Sequence, residues 1–491
     1  MTATLDSSVQ GLLIGNRRVT SSTVGVHEHV FPGTGQVNAR LTLAGPDDVD
    51  EAVESAKTAQ REWMARSVDD RRDALLALSD LVHAEAESLA ALSIEDNGNP
   101  KFISGIHPPQ LVRWLRYYAG WIDKITGQVT PVSRSEDLNM IVREPYGVIA
   151  AILPWNGPLY GVAMVVAPAL AAGNAVIIKP PELAPLTSLR FGELALQAGL
   201  PPGLVNVLPA DPVGSEALVR HPSIDKIHFT GSGEVAIRIH KAAADNLTPV
   251  ATELGGKSAN IIFDDANLDA AVMLACFSGP LAQSGQNCAC GSRILVQESI
   301  YDEVVNRMSA IVANSPIGDP RLDSTVVGPV ISETALTRIM GVIERARSAG
   351  STVVTGGERA GGDLAAGFFL QPTLVADVDP GSELFQKETF GPVVSITPFT
   401  DEDHVLALAN NTMYGLANYV HTKSLARAHQ TARGLQSGTV FVNTFPDLVP
   451  TSPYGGFKRS GTGRNGGLEG LLEFSQVKDI RISFGMPTLP T

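Results

Sequence analysis

Between Glu144 and Lys179 the chain carries no charged side chain. The run is longer than the ~20 residues a membrane-spanning helix needs, so it must be either a span or a fully buried unit. Pro145, Pro154, Pro158 and Pro168 decide between the two, because each removes a backbone N–H and clashes with the preceding turn. Asn156, Gly157, Gly161, Gly173 and Asn174 add further breaks. The segment instead reads as strand Val148–Leu153, a Pro-Trp-Asn-Gly loop, a helix over Pro158–Ala172, a Gly173-Asn174 turn and strand Ala175–Lys179. Strands covered on both faces are near-continuously apolar, as these are. No membrane association is expected.

The same alternation continues on both sides. A hairpin is expected around Leu12-Leu13-Ile14 and Arg18-Val19. Val49, Ala52, Val53, Ala56, Ala59 and Trp63 recur at helical spacing after Pro46, and a second helix is expected from about Asp69 to Ile94. Helix Pro185–Ala198, strand Leu204–Leu208, helix Val213–Arg220, strand Lys226–Thr230, helix Glu234–Ala244 and strand Pro249–Leu254 follow. A second series starts near Ala259–Phe263 and runs through Arg293–Val296, Tyr301–Val312 and Thr439–Val442. Strands alternating with helices predict two doubly wound α/β domains with parallel-type sheets, joined near residue 255. With 37 Lys and Arg against 51 Asp and Glu, the net charge of −14 argues against a nucleic-acid partner. Three cysteines in 491 residues exclude a disulfide framework. The opening Met1–Asp6 shows no basic segment followed by an apolar one, so a cytoplasmic protein is expected.

Several motifs could carry chemistry. Gly256-Lys257-Ser258 looks like the tail of a phosphate loop, but the glycine needed five residues earlier is Ala251. Gly231-Ser232-Gly233-Glu234-Val235-Ala236 fits the dinucleotide fingerprint in its proper place, after a strand and opening a helix whose amides would favour a pyrophosphate. That template makes Glu253 a ribose ligand. Cys276, Cys288 and Cys290 offer three sulfurs with no histidine nearby in sequence, short of a structural zinc set, so no metal is expected. Cys288 lies in the polar stretch Gln283-Ser284-Gly285-Gln286-Asn287 and suits a nucleophile, whereas Cys276 sits in an apolar helix and reads as core.

These stretches together resemble the aldehyde dehydrogenase superfamily, of the hydrolytic, non-acylating type. Pro154-Trp155-Asn156, Lys179-Pro180-Pro181-Glu182, Phe229-Thr230-Gly231-Ser232, Glu253-Leu254-Gly255-Gly256-Lys257 and Gly285-Gln286-Asn287-Cys288 occur in the family's order. So do Glu388-Thr389-Phe390-Gly391-Pro392-Val393, Asn411–Leu416 and Pro453–Gly461, and Arg116–Trp121 also looks like a family stretch. The resemblance implies that Cys288 is the nucleophile, Glu253 the general base, and the Asn156 side chain with the Cys288 N–H the oxyanion hole. It implies Ile152, Leu153, Pro154, Trp155, Lys179, Glu182, Gly231, Ser232, Leu254, Glu388 and Phe390 around the dinucleotide, with Lys179 and Glu182 on the adenosine ribose. That assignment displaces the ribose role of Glu253. A carboxylate at Glu182 would repel a 2′-phosphate, so NAD is expected, with NADP as the alternative.

The resemblance also implies domains: 1–121 and 143–254 for the coenzyme, 255–455 for catalysis, and 122–142 with 470–491 as a small β flap. Exposed strand edges there predict a homodimer or homotetramer. Departures cluster near the substrate tunnel. Gly157 stands where relatives usually carry an aromatic, Gly161 where a larger side chain is common, and Met164 one position short of the next turn. The expectation is a wider mouth, suited to a bulky aromatic, terpenoid or long-chain aldehyde, unless Leu448 or Tyr454 fills the space. Asn465 replaces a frequent Glu, and Phe31–Arg40 matches only loosely. The rival activity is transfer of the acyl group to coenzyme A, and a non-catalytic role on this fold is the remaining alternative.

Overall fold

The computed structural model describes residues 9–485, so the expectations placed on Met1–Asp6 and on 486–491 lie outside the described residues. The charge-free stretch forms two strands, Val148–Ile152 and Ala175–Lys179, buried at every position and paired in parallel. The single helix expected between them is corrected. Pro158–Gly161 and Ala167–Ala171 are α-helical, but Val162–Val166 is a π-helical turn. Pro168 has no N–H to give the Met164 carbonyl one turn back, so the ladder slips and the Ala167 N–H reaches Val162 instead.

These strands sit inside an eight-stranded sheet. Its order is Gly461–Thr462, Val250–Leu254, Lys226–Gly231, Val148–Ile152, Ala175–Lys179, Val205–Val207, Leu12–Ile14, Arg17–Val19. The pairings from Val250–Leu254 across to Val205–Val207 are parallel and the outer ones antiparallel. Helices Pro46–Ala65, Leu186–Gln197 and Gly233–Ala243 help cover it. The helix expected over Asp69–Ile94 is two, Val68–Ala84 and Ala86–Asn97. They break at Glu85, whose carbonyl accepts the Ser88 hydroxyl at 3.0 Å and whose carboxylate is held by Arg190.

A seven-stranded sheet follows, in the order Thr352–Thr355, Thr373–Ala376, Val393–Phe399, Arg293–Gln297, Ala259–Ile262, Ala417–His421, Thr439–Val442, with only the first pairing antiparallel. Apolar side chains pack on both its faces, Phe263, Leu295 and Phe399 on one, Ile294, Ile396 and the buried Cys276 on the other. Two parallel-type sheets wound on both faces make the doubly wound α/β architecture. A third sheet stands apart: Asp137–Pro145 lies between Gln128–Thr130 and Ser475–Ser483. The loosely patterned Phe31–Arg40 becomes a turn at Gly35, φ 67°, between strands Val26–Phe31 and Gln36–Thr42. Among the described residues no helix is long and apolar enough to cross a membrane, and no cluster of His, Cys, Asp and Glu could hold a metal.

The chain passes from the first sheet to the second through Gly255–Ser258, at the carboxyl end of Val250–Leu254. Gly461 returns to pair with Glu253 there. Ligands of doubly wound sheets bind at such strand ends, and the candidate residues gather at this one.

Candidate active site

Cys288 follows three consecutive left-handed residues, Gln283 (φ 51°), Ser284 (φ 53°) and Gly285 (φ 66°). Non-glycine residues rarely adopt that conformation, so the loop persists only because its surroundings over-determine it. The Gln283 amide donates to the Asn156 carbonyl at 3.1 Å, and the Ser284 hydroxyl donates to the Gly328 carbonyl at 2.8 Å. The Gln286 side chain accepts from the Ile331 N–H at 2.9 Å and donates to the Pro329 carbonyl at 3.2 Å. Asn156 Nδ2 donates to the Gln286 carbonyl at 2.9 Å, which binds the Pro154–Asn156 loop to the cysteine loop. The Cys288 N–H has no protein acceptor among the described residues. Both expected oxyanion donors therefore lie at the Cys288 loop.

The thiol itself is half-buried, with its Sγ 3.7 Å from the Tyr454 hydroxyl. Burial pushes it up to about 11; the Tyr454 contact opposes this, and the Glu388 and Glu253 carboxylates add to it. It is protonated at neutral pH and needs a base. Glu253 is buried with both carboxylate oxygens unpartnered, and burial holds its proton affinity well above the usual carboxylate range; Arg464 opposes that shift and Glu473 adds to it. Glycines allow the close approach of these groups. A Cβ on Gly255 would lie 2.1 Å from the Glu388 carboxylate, one on Gly256 2.6 Å from the Cys288 carbonyl, and one on Gly455 2.8 Å from Glu253 Oε1. Glu388 Oε1 accepts the Gly256 N–H at 3.1 Å, and burial raises this carboxyl to about 7.

Ser232 caps helix Gly233–Ala243 by accepting from the Val235 N–H at 3.4 Å, and the space a Cβ on Gly233 would enter is open. At the end of Ala175–Lys179, Lys179 Nζ lies 3.5 Å from Glu182 Oε2. Trp155 and Phe390 meet edge to face at 5.2 Å, Phe390 in the left-handed region at φ 49°. Ile152 and Leu153 are buried at the end of their strand, while Leu254 ends the strand that carries Glu253.

A model of the aldehyde dehydrogenase family matches residues 19–480. The chain belongs to that family. It is 40% identical over 459 residues to the mitochondrial aldehyde dehydrogenase of Mesocricetus auratus, covering 92% of this chain and 91% of that one. Among solved structures, betaine aldehyde dehydrogenase from Staphylococcus aureus in complex with NAD+ superposes with a TM-score of 0.95 at 34% identity, covering 100% of this chain and 99% of that one. PnpE from Pseudomonas sp. WBC-3 gives 0.95 at 37% identity over 98% and 99% of the two chains. The family's coenzyme is NAD(P), and the open helix start at Gly233 with the Lys179–Glu182 pair fits a dinucleotide.

For an aldehyde dehydrogenase the remaining question is the space before the thiol. Tyr454 fills part of it, held by paired backbone bonds to Asn465 of 2.6 and 2.8 Å. Asn465 Oδ1 in turn accepts from Nε2–H of the buried His228 at 3.0 Å. A side chain on Gly157 would meet Tyr160 Cβ at 3.4 Å and His107 Cε1 at 3.7 Å. Gly161 does not widen the tunnel as expected. Its Cβ would lie 3.2 Å from Pro154 and 3.3 Å from Leu153, so its small size brings helix and strand together. Met164 is half-buried on the π turn and packs on the first core. The Leu448 carbonyl accepts the Tyr160 hydroxyl at 3.1 Å. His107 and Tyr160 were not singled out from sequence; the signal for Tyr160 is its place one turn after Gly157, and His107 has none.

Proposed function

We propose that this aldehyde dehydrogenase oxidises an aldehyde to the carboxylic acid hydrolytically, through a covalent intermediate on Cys288. Glu253 takes the thiol proton, directly or through water, and the thiolate adds to the carbonyl carbon. Asn156 Nδ2–H and the Cys288 N–H receive the developing oxyanion of the thiohemiacetal. NAD, when bound, supplies the hydride acceptor. Glu253 passes that proton on to solvent, and the ionised carboxylate then removes a proton from the water that hydrolyses the thioester, the Cys288 sulfur leaving as thiolate. The observation that carries this reading is the unpartnered Glu253 carboxylate, buried within electrostatic reach of the thiol. A carboxylate that can activate water favours hydrolysis over acyl transfer to coenzyme A.

Glu182 favours NAD over NADP, since its charge would face a 2′-phosphate. We assign 1–121 and 143–254 to the coenzyme domain, 255–455 to the catalytic domain, and 122–142 with 470–491 to a flap that pairs subunits into a homodimer or homotetramer. Three unpaired cysteines suit a reducing compartment such as the cytoplasm. The missing side chain at Gly157, beside His107 and Tyr160, favours a bulky aldehyde, in particular a ring-bearing one. The test is a panel of aldehydes of graded bulk, followed by NADH absorbance without coenzyme A. Higher kcat/KM for benzaldehyde than for acetaldehyde is expected, and C288A should lose at least about 1,000-fold. NADH that forms only when coenzyme A is added would replace this reading with the acylating one.

A further inference from the structure

His107 opens helix His107–Ala119 and is 5% exposed. Its Nδ1 is buried with no partner, and burial pushes the imidazole down to about 4, so at neutral pH it carries one donor and one acceptor and no charge. The Cε1–Nε2 edge faces the place a side chain on Gly157 would occupy, with Nε2 4.0 Å from that Cβ position. Gly157 follows Asn156, whose side chain binds the Cys288 loop, and Tyr160 beside the imidazole lies within electrostatic reach of the Cys288 thiol. Tyr160 stands edge-on to the imidazole, ring centres 5.8 Å apart, and its hydroxyl already donates to Leu448. One turn along the helix, Gln110 Oε1 is also buried and unpartnered. The formal charges at this end cancel: Arg113 lies 3.6 Å from Asp447, which also takes the Gln110 amide at 3.5 Å.

Two neutral polar side chains one turn apart on this helix therefore keep unspent hydrogen-bonding capacity, and one of them, His107, borders the Gly157 position through its Cε1–Nε2 edge. Buried polar groups of this kind are costly when nothing pairs with them. Sites built to hydrogen-bond a substrate group discriminate against analogues that lack it. We propose that His107 is a specificity-determining residue that hydrogen-bonds a neutral hydroxyl on the ring of the aldehyde, with Gln110 as second acceptor. The substrate class is then hydroxylated aromatic aldehydes, rather than cationic or carboxylate-bearing ones. This rests on the oxidation at Cys288 proposed above.

The test compares kcat/KM for benzaldehyde, the three monohydroxybenzaldehydes and betaine aldehyde, with the carboxylate product measured by chromatography. The wild-type enzyme should prefer its best hydroxybenzaldehyde over benzaldehyde by about ten-fold, carried mainly by KM. In H107F that ratio should fall to about two-fold or less, and in H107Q, which keeps a donor and an acceptor, it should stay above that of H107F. A ratio unchanged in H107F overturns the proposal, as does a fall of both substrates together with the ratio intact, or a wild-type preference for betaine aldehyde. An enzyme that forms no acid from any aldehyde, with NAD supplied, instead defeats the oxidation reading itself.

Discussion

Glu253 concentrates the cost of this site in one side chain. A carboxylate with both oxygens sealed from water and unpartnered is destabilised when ionised, and its proton affinity rises accordingly. The folded chain then holds a proton that the unfolded chain releases, so stability falls as pH rises above the ordinary carboxylate range, by at most about 1.4 kcal/mol per pH unit. E253Q should raise Tm relative to wild type, with a difference near zero at pH 4 that grows as pH rises in thermal scans. A Tm difference independent of pH would mean that the carboxylate is not ionising in place. The same variant should slow the NADH burst as well as lower steady turnover about 100-fold or more, because thiol activation and deacylation both lack their base. A burst of wild-type rate would confine Glu253 to deacylation. Cys288, Glu253 and Asn156 were legible because each stands in a contiguous motif, and Lys179 with Glu182 likewise. His107 was not, since its meaning comes from Gly157, fifty residues on, which exposes its edge.

Among elements, strands were legible wherever burial on both faces made them continuous apolar runs, and helix types were not. The π turn at Val162–Val166 depends on which carbonyl the missing Pro168 N–H leaves over, which periodicity does not show. Caps supplied from afar are equally hidden. Helix Leu186–Gln197 begins at Pro185, which has no side-chain cap of its own. Asp96, at the end of helix Ala86–Asn97, supplies it: its carboxylate accepts from the Leu186 and Thr187 N–H groups at 3.0 Å and from the Thr187 hydroxyl at 2.8 Å. His29 lies 3.8 Å from the same carboxylate. Removing it leaves buried donors unpaired, so D96A should cost about 2–4 kcal/mol in urea denaturation. D96N should also destabilise, because its NH2 faces donors where an oxygen is needed. A loss under 0.5 kcal/mol in D96A would show that the two helices hold each other by apolar packing alone.

At the scale of the whole molecule, the small sheet has no core of its own to hide its apolar side chains. Val129 is 72% exposed, Val477 59% and Phe484 75%, on or just beyond the edge strands Gln128–Thr130 and Ser475–Ser483. Unpaired edges with exposed apolar residues are a liability in a monomer and an asset at an interface. Copies of a chain with net charge −14 repel one another at long range, so association through this sheet must come from apolar burial and strand pairing. Two consequences separate that account from a charge-driven contact. Light scattering should give a multiple of 51.8 kDa for the wild type and shift toward 51.8 kDa in V477D/F484D, which places like charges where apolar faces would meet. Raising salt from 50 to 500 mM, roughly halving or more the screening length, should tighten the wild-type assembly on dilution rather than loosen it. A wild type already at 51.8 kDa, or an assembly that dissociates as salt rises, would mean that this sheet is not an apolar interface between copies.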